Sequence, residues 1–302
     1  EIGNIYMSGM NDQMSRHFET VIKLRFDQVS GIVSVVPTDS NNRANLYEEL
    51  IYRTQVRGFD YLALCSAEGN FQTLYGKAIQ PLNPEPFVEA LSKGEQRIAV
   101  GIDSAGNEVV LFGVDADYPM HNGDKSTGLI AAIPLEYITN FLSLEDEDQL
   151  MYYHIIRPDG SFVIQNSNTE LWYFFEQLQK QLDSTVNELS VETSIKEFGI
   201  AIKNNEEFAT TFEVNGEERQ IYGISLPYSE WYLVSVMPYG TLNDAINNLS
   251  SQRMFMTFFS CASILIILTL IFLRYFSITR SQLHELEERS EEHTSELQSH
   301  TI

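Results

Sequence analysis

The apolar side chains of residues 4–36 recur about three, four or seven positions apart, which is typical of one face of an α-helix. Pro37 and the polar run after it end this pattern. At ~1.5 Å per residue the helix reaches ~45 Å, which is more than one small domain requires. We therefore predict a stalk along two stacked domains, and a second helix at 43–56. The recurring residues are Met7, Met10, Met14, Phe18, Val21, Leu24 and Ile32.

Short apolar runs separated by turn residues come next, and they predict strands. The run FDYLALC is joined to FQTLYG by a turn that contains glycine, and RIAVGID is joined to EVVLFGVD by Ser-Ala-Gly-Asn. Between these two hairpins, Pro84 and Gly94 bracket a short helix. After the loop 115–126, the strand TGLIAAI leads to Pro134, which opens another helix. This half of the chain predicts an antiparallel sheet flanked by helices.

The same order of elements recurs in the second half. YYHIIRPDGSFVIQ predicts two strands around an Asp-Gly turn, 168–207 is mostly helical, and a hairpin turns at Asn215-Gly216. A last strand leads to Pro238, which opens the next helix 104 positions after Pro134. We interpret the two halves as copies of one module, and the fold class as α+β.

An uncharged run of 20 residues, Met254–Leu273, lies between Arg253 and Arg274. About 20 apolar residues span the hydrocarbon core of a bilayer as a helix, so we predict one transmembrane helix. Arg274 and Arg280 follow the run, and only Arg253 closely precedes it. By the positive-inside rule the C-terminal side is cytoplasmic. We therefore expect a plasma-membrane protein whose residues 1–253 are extracytoplasmic.

The segment 277–288 has apolar residues at helical spacing with glutamates between them. It predicts the start of a coiled-coil signalling helix that carries motion to an output domain. Arg289–His300 reads RSEEHTSELQSH, which resembles the codon-by-codon translation of a common short-read sequencing adapter. We exclude 289–302 from functional argument as an artefact. We expect the natural protein to continue beyond Glu288 and to begin before Glu1.

The charge balance narrows the class of partner. The chain has 19 basic and 42 acidic side chains, and residues 1–253 alone carry 16 and 36, a net charge of −20. Such a surface repels phosphate backbones, so we expect no nucleic-acid partner. Cys65 lies in a predicted strand and Cys261 in the membrane run, so we expect no disulfide and no thiolate metal site. No catalytic or phosphate-binding motif is present, and we expect neither an enzyme active site nor a cofactor nor a metal in this fragment.

A family resemblance rests on IIRPDGSFVI, on EWYLVSVMP and on the membrane run that follows. Together with the long helix and the repeated module, they resemble the double Cache sensor family, whose modules have a PAS-like fold. The chain also looks like the sensor part of membrane-bound hybrid histidine kinases. The resemblance covers nearly all of 1–288. It implies an N-terminal stalk and second helix at 1–57, a membrane-distal module at 58–142, a membrane-proximal module at 143–250, a transmembrane helix at 254–276 and a truncated cytoplasmic helix at 277–288.

The resemblance implies an extracytoplasmic sensor for a small molecule, in a homodimeric receptor whose output domain is a two-component histidine kinase. Two alternatives remain open, which are the same sensor on a diguanylate cyclase and a membrane-anchored binding protein without an output domain. The amino-acid-sensing branch of the family carries an Arg-x-Trp-Tyr motif in the distal module. Residues 58–142 contain no tryptophan, so the ligand class stays undetermined.

Five residues are candidates for ligand binding, because they place polar groups among strands of the distal module or in the loop after them. Tyr61 lies on the first strand, and the other four lie at the end of EVVLFGVD or in the long loop that follows. A carboxylate there is suited to a ligand amine, and Tyr118 to stacking on it. The four are Asp115, Asp117, Tyr118 and His121.

Overall fold

The computed structural model describes residues 2–38, 43–142, 151–165, 174, 188–214, 217–238 and 241–299. Within these residues the chain forms six helices and eleven strands. The helices are α1 (Ile2–Val33), α2 (Arg43–Val56), α3 (Pro84–Ser92), α4 (Leu135–Leu142), α5 (Glu188–Asn204) and α6 (Thr241–Ser299). The strands are β1 (Tyr61–Cys65), β2 (Phe71–Tyr75), β3 (Ile79–Pro81), β4 (Arg97–Asp103), β5 (Glu108–Asp115), β6 (Gly128–Pro134), β7 (Tyr152–Ile156), β8 (Phe162–Gln165), β9 (Phe208–Val214), β10 (Glu217–Ser225) and β11 (Tyr232–Pro238).

The strands form two antiparallel sheets with the same connectivity. The sheet of the first module has the order β2-β1-β6-β5-β4-β3, and that of the second module has the order β8-β7-β11-β10-β9. Without the short edge strand β3, both sheets place their first strand between the second and the last. This shared order is the PAS-like arrangement, and it confirms the predicted α+β class with two tandem modules behind a long helix.

Helix α1 packs against both sheets. Near its start, Asn11 is fully buried and its Nδ2 donates a hydrogen bond of 2.9 Å to Ser235 Oγ on β11. Further along, the Phe26 ring lies edge-on to Phe112 of β5, with 5.6 Å between the ring centroids. The helix has no proline before Pro37, so nothing interrupts its hydrogen bonds over this length. The prediction of a helix that runs along two modules is therefore confirmed.

The first sheet buries both faces, because its strands are covered by helices on each side. One face carries Leu62, Phe112 and Ile133 toward α1, α2 and α4, while the other packs on α3. Glycine makes the second contact close, since a Cβ at Gly113 would lie 2.7 Å from Phe87 Cζ and one at Gly128 would lie 2.9 Å from Leu91 Cδ1. Most of the α3 face is therefore filled by protein side chains.

The second sheet packs its outer face on α5. Phe198 and Ile202 of this helix share a buried cluster with Ile156 and Val234 of the sheet. Of the predicted helical stretch 168–207, residues Glu188–Asn204 are helical and residues 205–207 are not. Apart from Phe174, residues 168–187 lie outside the described residues. The predicted Asn215-Gly216 turn also lies outside them. Strand β3 was not predicted, because a three-residue edge strand that ends in proline has no alternation to detect.

Contacts divide the chain into two compact units, 1–239 and 240–302. In the second unit, α6 contains a stretch, Gln252–Gln282, that is long and apolar enough to cross a bilayer, and its side chains are exposed. A core helix of a soluble protein would be mostly buried, so exposure favours a membrane span over that alternative. The predicted boundaries at 57, 142 and 250 remain predictions.

Candidate ligand-binding site

A cavity of about 840 Å³ opens at one end of the first sheet. Its volume is in the range of small-molecule sites in proteins. It is formed by the start of β1, the β2–β3 turn, the β4–β5 turn, and the end of β6 with the helix α4 that directly follows it. We call it the first-module cavity. Its lining includes Asp60, Tyr61, Lys77, Ile79, Asp103, Asn107, Glu108, Val109, Ala132, Glu136, Thr139 and Asn140.

The β4–β5 turn fixes a carboxylate at the edge of the cavity. Asp103 Oδ1 accepts hydrogen bonds of 2.8 Å from the main-chain N–H groups of Ala105 and Asn107. The hydrogen bond from the Asn107 backbone lowers the pKa of Asp103 most, and the nearby ammonium of Lys77, 3.8 Å from Oδ2, adds to it. Asp103 is therefore ionised at neutral pH.

Tyr61 also lines the cavity, and its hydroxyl is neutral. Its side chain is buried, and its hydroxyl oxygen lies 3.3 Å from Thr73 Oγ1. Burial raises the pKa of Tyr61, because the phenolate would lose its hydration. The hydroxyl is thus available as a donor and as an acceptor.

The charges around the first-module cavity favour a cationic group on the ligand. Four carboxylates line it against the single ammonium of Lys77. A protonated amine would gain hydrogen bonds to ionised acceptors, which are stronger than those between neutral groups. The carboxylates belong to Asp60, Asp103, Glu108 and Glu136. Within the described residues, no three His, Cys, Asp or Glu side chains are grouped to hold a metal ion.

Of the five candidate residues predicted from sequence, Tyr61 lines this cavity. Leu111 and Tyr61 both pair with Ala132, so they lie at the same level of the sheet. Asp115 lies four residues further along β5, and it is exposed at the other end of the sheet. Four residues of a strand measure roughly 14 Å. The structure therefore does not bring Tyr61 and Asp115 together.

The remaining three candidates lie in the loop between β5 and β6. Tyr118 is fully buried, and its hydroxyl donates a 3.0 Å hydrogen bond to the Val36 carbonyl, just after α1. Burial raises the pKa of Tyr118 to about 12. Asp117 accepts from Lys125 at 2.7 Å on the surface. The His121 ring stacks on Tyr47, with 5.2 Å between centroids.

Sequence reasoning missed the other polar groups of the cavity, chiefly Asp103, Lys77 and Glu136. The run DSAGN does carry a signal, because Asp at the start of such a turn accepts main-chain hydrogen bonds. That signal indicates a turn, however, and says nothing about a neighbouring cavity. Ligand contact at Asp115, Asp117, Tyr118 and His121 stays a prediction.

Gly76 allows the β2–β3 turn to pass close to the backbone of Asp60 at the edge of the cavity. Its φ is +86°, and a Cβ there would lie 2.3 Å from the main-chain oxygen of Asp60. We expect Gly76→Ala to lower the free energy of unfolding by about 3 kcal/mol, from the left-handed conformation and the clash together. Urea denaturation of residues 1–239 measures it.

Gly94→Ala is the matched control for this substitution. Gly94 also has a positive φ, of +76°, but a Cβ there would have nothing within 4 Å. It should cost only about 1 kcal/mol, because the conformation alone is penalised. Equal costs for the two variants would show that the contact of Gly76 with Asp60 is unimportant.

Solved structures with the same fold include ligand-binding domains of chemoreceptors and the extracellular domain of a histidine kinase. The ligand-binding domain of the Pseudomonas aeruginosa PAO1 amino acid chemoreceptor PctC, in complex with GABA, matches with a TM-score of 0.53 at 16% identity. That match covers 78% of this chain and 100% of PctC's domain. At this identity the likeness shows the fold and not the ligand.

Two further structures have the same fold. The ligand-binding domain of the Pseudomonas fluorescens chemoreceptor CtaA, in complex with L-alanine, has a TM-score of 0.51 at 16% identity and covers 80% of this chain and 99% of its own. The extracellular domain of the predicted histidine kinase mmHK1S-Z2 has a TM-score of 0.50 at 12% identity, over 78% and 98%. No protein-family model matches the sequence, and no curated protein matches it.

Proposed function

We propose that this chain is the extracytoplasmic small-molecule sensor of a transmembrane signalling receptor, and that its ligand binds in the first-module cavity. The observation that carries the proposal is the cavity itself, in which a buried tyrosine and four carboxylates, one of them fixed by main-chain hydrogen bonds, meet apolar strand residues. Small-molecule sites combine an apolar wall with a few placed polar groups in this way. The fold of chemoreceptor ligand-binding domains supports the same role.

The ligand is a small molecule with a protonated amine. The excess of carboxylates in the cavity favours a cation, and Lys77 can bind a carboxylate on the same molecule. PctC and CtaA were solved with GABA and L-alanine, which carry both groups. Because the Arg-x-Trp-Tyr motif is missing from residues 58–142, other residues hold the amine here. We propose that these are Asp103 and Glu136.

Ligand binding is tested by thermal unfolding of the whole chain in lipid nanodiscs against GABA, amino acids, diamines and dicarboxylates. A ligand at 100 times its Kd stabilises the protein by about 2.7 kcal/mol. We expect an amine to do so, and Glu136→Gln to weaken it about tenfold or more through the lost charged hydrogen bond. The variant should fold normally, because Glu136 is exposed on α4.

Asp117→Asn is the matched control, because Asp117 is an exposed carboxylate at the opposite end of the sheet. It should leave the stabilisation unchanged. A loss in Asp117→Asn or Asp115→Asn, without a loss in Glu136→Gln, would instead place the ligand at the loop between β5 and β6. Stabilisation by dicarboxylates alone would contradict an amine ligand.

We propose further that the receptor is a homodimer anchored by the stretch Gln252–Gln282, with a two-component histidine kinase as its output. The exposed apolar helix supports the anchor, and the fold of the mmHK1S-Z2 domain supports the kinase. Sequencing the source locus across Glu288 tests the output. A phosphoacceptor histidine and an ATP-binding region support a kinase, a cyclase domain would change the output, and an immediate stop would leave an anchored binding protein.

A further inference from the structure

A second cavity, of about 590 Å³, lies between the two modules. We call it the inter-module cleft. It shares no lining residue with the first-module cavity. The first module contributes the segment between β3 and α3, helix α3 and strand β4 to its wall. The second module contributes the β7–β8 turn and the segment before β11. Its polar lining consists of Asn83, Arg97, Arg157, Asp159, Ser161 and Glu230.

Polar contacts cross between the modules beside this cleft. The main-chain N–H of Ile98 on β4 donates a 2.9 Å hydrogen bond to the carbonyl of Tyr228. Tyr228 has a φ of +61°, which is strained for a residue with a side chain and requires support from its surroundings. The boundary between the two modules is therefore held by a specific contact beside the cleft.

Two arginines, one from each module, line the cleft. Arg157 is oriented by hydrogen bonds from its Nη1 to Ser161 Oγ, at 3.0 Å, and to the Phe162 carbonyl, at 2.9 Å. The Nη2 atom of Arg97 lies 3.8 Å from Glu230 Oε1, which is an ion pair but longer than a hydrogen bond. A planar guanidinium group binds a carboxylate through two parallel hydrogen bonds when one is available.

The carboxylates of the cleft have partners within the protein. Glu230 Oε2 accepts from Asn83 Nδ2 at 3.3 Å, in addition to its ion pair with Arg97. Asp159 Oδ1 accepts from the main-chain N–H and the hydroxyl of Ser161, at 2.9 and 2.6 Å. These carboxylates accept at hydrogen-bond distance, whereas the two guanidinium groups lie 3.8 and 4.0 Å from their carboxylate partners, which makes an anion the better match for the cleft than a cation.

The rest of the wall is apolar. Leu82 and Phe87 of the first module face the cleft together with Trp231 of the second. Trp231 is almost fully buried, and its ring lies edge-on to Phe18 of α1. An apolar body on the ligand would be removed from water here, which adds to the electrostatic attraction.

We propose that the inter-module cleft is a second binding site, which takes a small organic carboxylate with an apolar body. Arg97 and Arg157 bind the carboxylate, and Leu82, Phe87 and Trp231 bind the body. Because the site is assembled from both modules, its occupant favours the arrangement in which they are joined. The site is independent of the ligand proposed for the first-module cavity.

One ion pair connects the two cavities. Arg157 Nη2, in the cleft, lies 4.0 Å from Oε1 of Glu108, which lines the first-module cavity. A carboxylate in the cleft competes with Glu108 for this guanidinium. Removal of the Glu108 charge should therefore tighten carboxylate binding about two- to fivefold, which is the size of a partly exposed ion pair. A variant that only damaged the fold would not bind more tightly.

The test uses the whole chain in nanodiscs with Trp172→Phe, which leaves Trp231 as the single tryptophan. Its fluorescence is titrated with 4-methylpentanoate, phenylacetate and succinate, and with 4-methylpentanamide as the neutral analogue. We expect a saturable change with at least one of the first two and none with the amide. Arg97→Gln and Arg157→Gln should each weaken binding about tenfold or more, and Glu108→Gln should strengthen it.

Arg53→Gln is the control, because Arg53 pairs with Glu49 on α2, outside the cleft. It should bind as the parent does. If Arg157→Gln lowers the melting temperature, its binding result is set aside because the fold is affected. The test then depends on Arg97→Gln alone, since Arg97 is partly exposed. The proposal is overturned if no carboxylate saturates the signal, if the amide binds equally, or if Arg97→Gln binds as well as the parent. Loss of carboxylate binding in Lys77→Gln, without a loss in Arg97→Gln, would place the probe in the first-module cavity, which overturns the cleft site and leaves the proposed function standing.

Discussion

Replacing Phe26 by alanine is expected to lower the free energy of unfolding of residues 1–239 by about 4 kcal/mol, the typical cost of a phenylalanine deletion in a packed core. Phe26 is fully buried on α1. Its ring contacts Phe112 of the first module and Tyr228 of the second, at centroid distances of 5.6 and 5.3 Å. The cavity left by the substitution would therefore open where α1 and both modules meet. Urea denaturation measures the change.

Leu24→Ala is the control on the same helix. The Leu24 side chain is 56% exposed, so its truncation should change the free energy of unfolding by less than about 0.5 kcal/mol. Similar costs for the two variants would mean that α1 is not held by the face seen in the structure. A large effect of Phe26→Ala together with a small effect of Leu24→Ala supports this packing.

Acidification from pH 6.5 to pH 4 is expected to remove about 3 kcal/mol of stability through His154 alone. His154 is fully buried on β7. Its ring lies among those of Tyr152, Phe162 and Phe174, at centroid distances of 5.5, 5.2 and 5.7 Å. Burial lowers the pKa of His154 to about 4, because the imidazolium would lose its hydration.

The sign follows from proton uptake on unfolding. Between pH 4 and 6.5 the unfolded chain binds a proton at this histidine and the folded chain does not, so the free energy of unfolding falls as the pH falls. Well above pH 6.5 the contribution is constant, because His154 is unprotonated in both states. Well below pH 4 it is protonated in both states, and the loss attributable to His154 stops growing.

The measurement is a series of urea titrations of residues 1–239 at steps between pH 7.5 and 4, for the parent and for His154→Gln. Glutamine does not titrate, so the variant should lose about 3 kcal/mol less over this range, whatever its stability at neutral pH. His121→Gln is the control, since His121 is exposed in the loop between β5 and β6. A parallel pH dependence in all three proteins would show that the pKa of His154 is the same in the folded and unfolded chains.

Much of the fold was predictable because its signals are local. Pro84 and Gly94 bracketed α3, whose helix runs Pro84–Ser92, since each residue has a backbone conformation suited to that end. The apolar runs predicted β4 and β5 with their observed bounds, because alternation and turn residues act within a few positions. The repeated order of elements predicted two copies of one module, and the two sheets have the same connectivity.

The buried face of α1 was predicted less well. Leu24 fits the helical spacing, yet it is exposed, while the polar Asn11 is fully buried against Ser235. Spacing in a long helix defines several adjacent faces, and the partner surface decides which residues are covered. Here the Asn11 amide nitrogen donates a hydrogen bond to Ser235 Oγ on β11, which offsets part of the cost of its burial, and no sequence pattern around Asn11 indicates this contact.

The candidate site shows the same division more sharply. The sequence by itself determined the helices, most strands and the apolar run of α6, because backbone hydrogen bonding, turn geometry and hydrophobic length act along a continuous segment. Only the tertiary structure decided that Tyr61, Lys77, Asp103 and Glu136 share a cavity, and that Tyr118 lies in the core. The register between strands and the position of α4 bring these residues together, and both depend on packing between residues far apart in the chain.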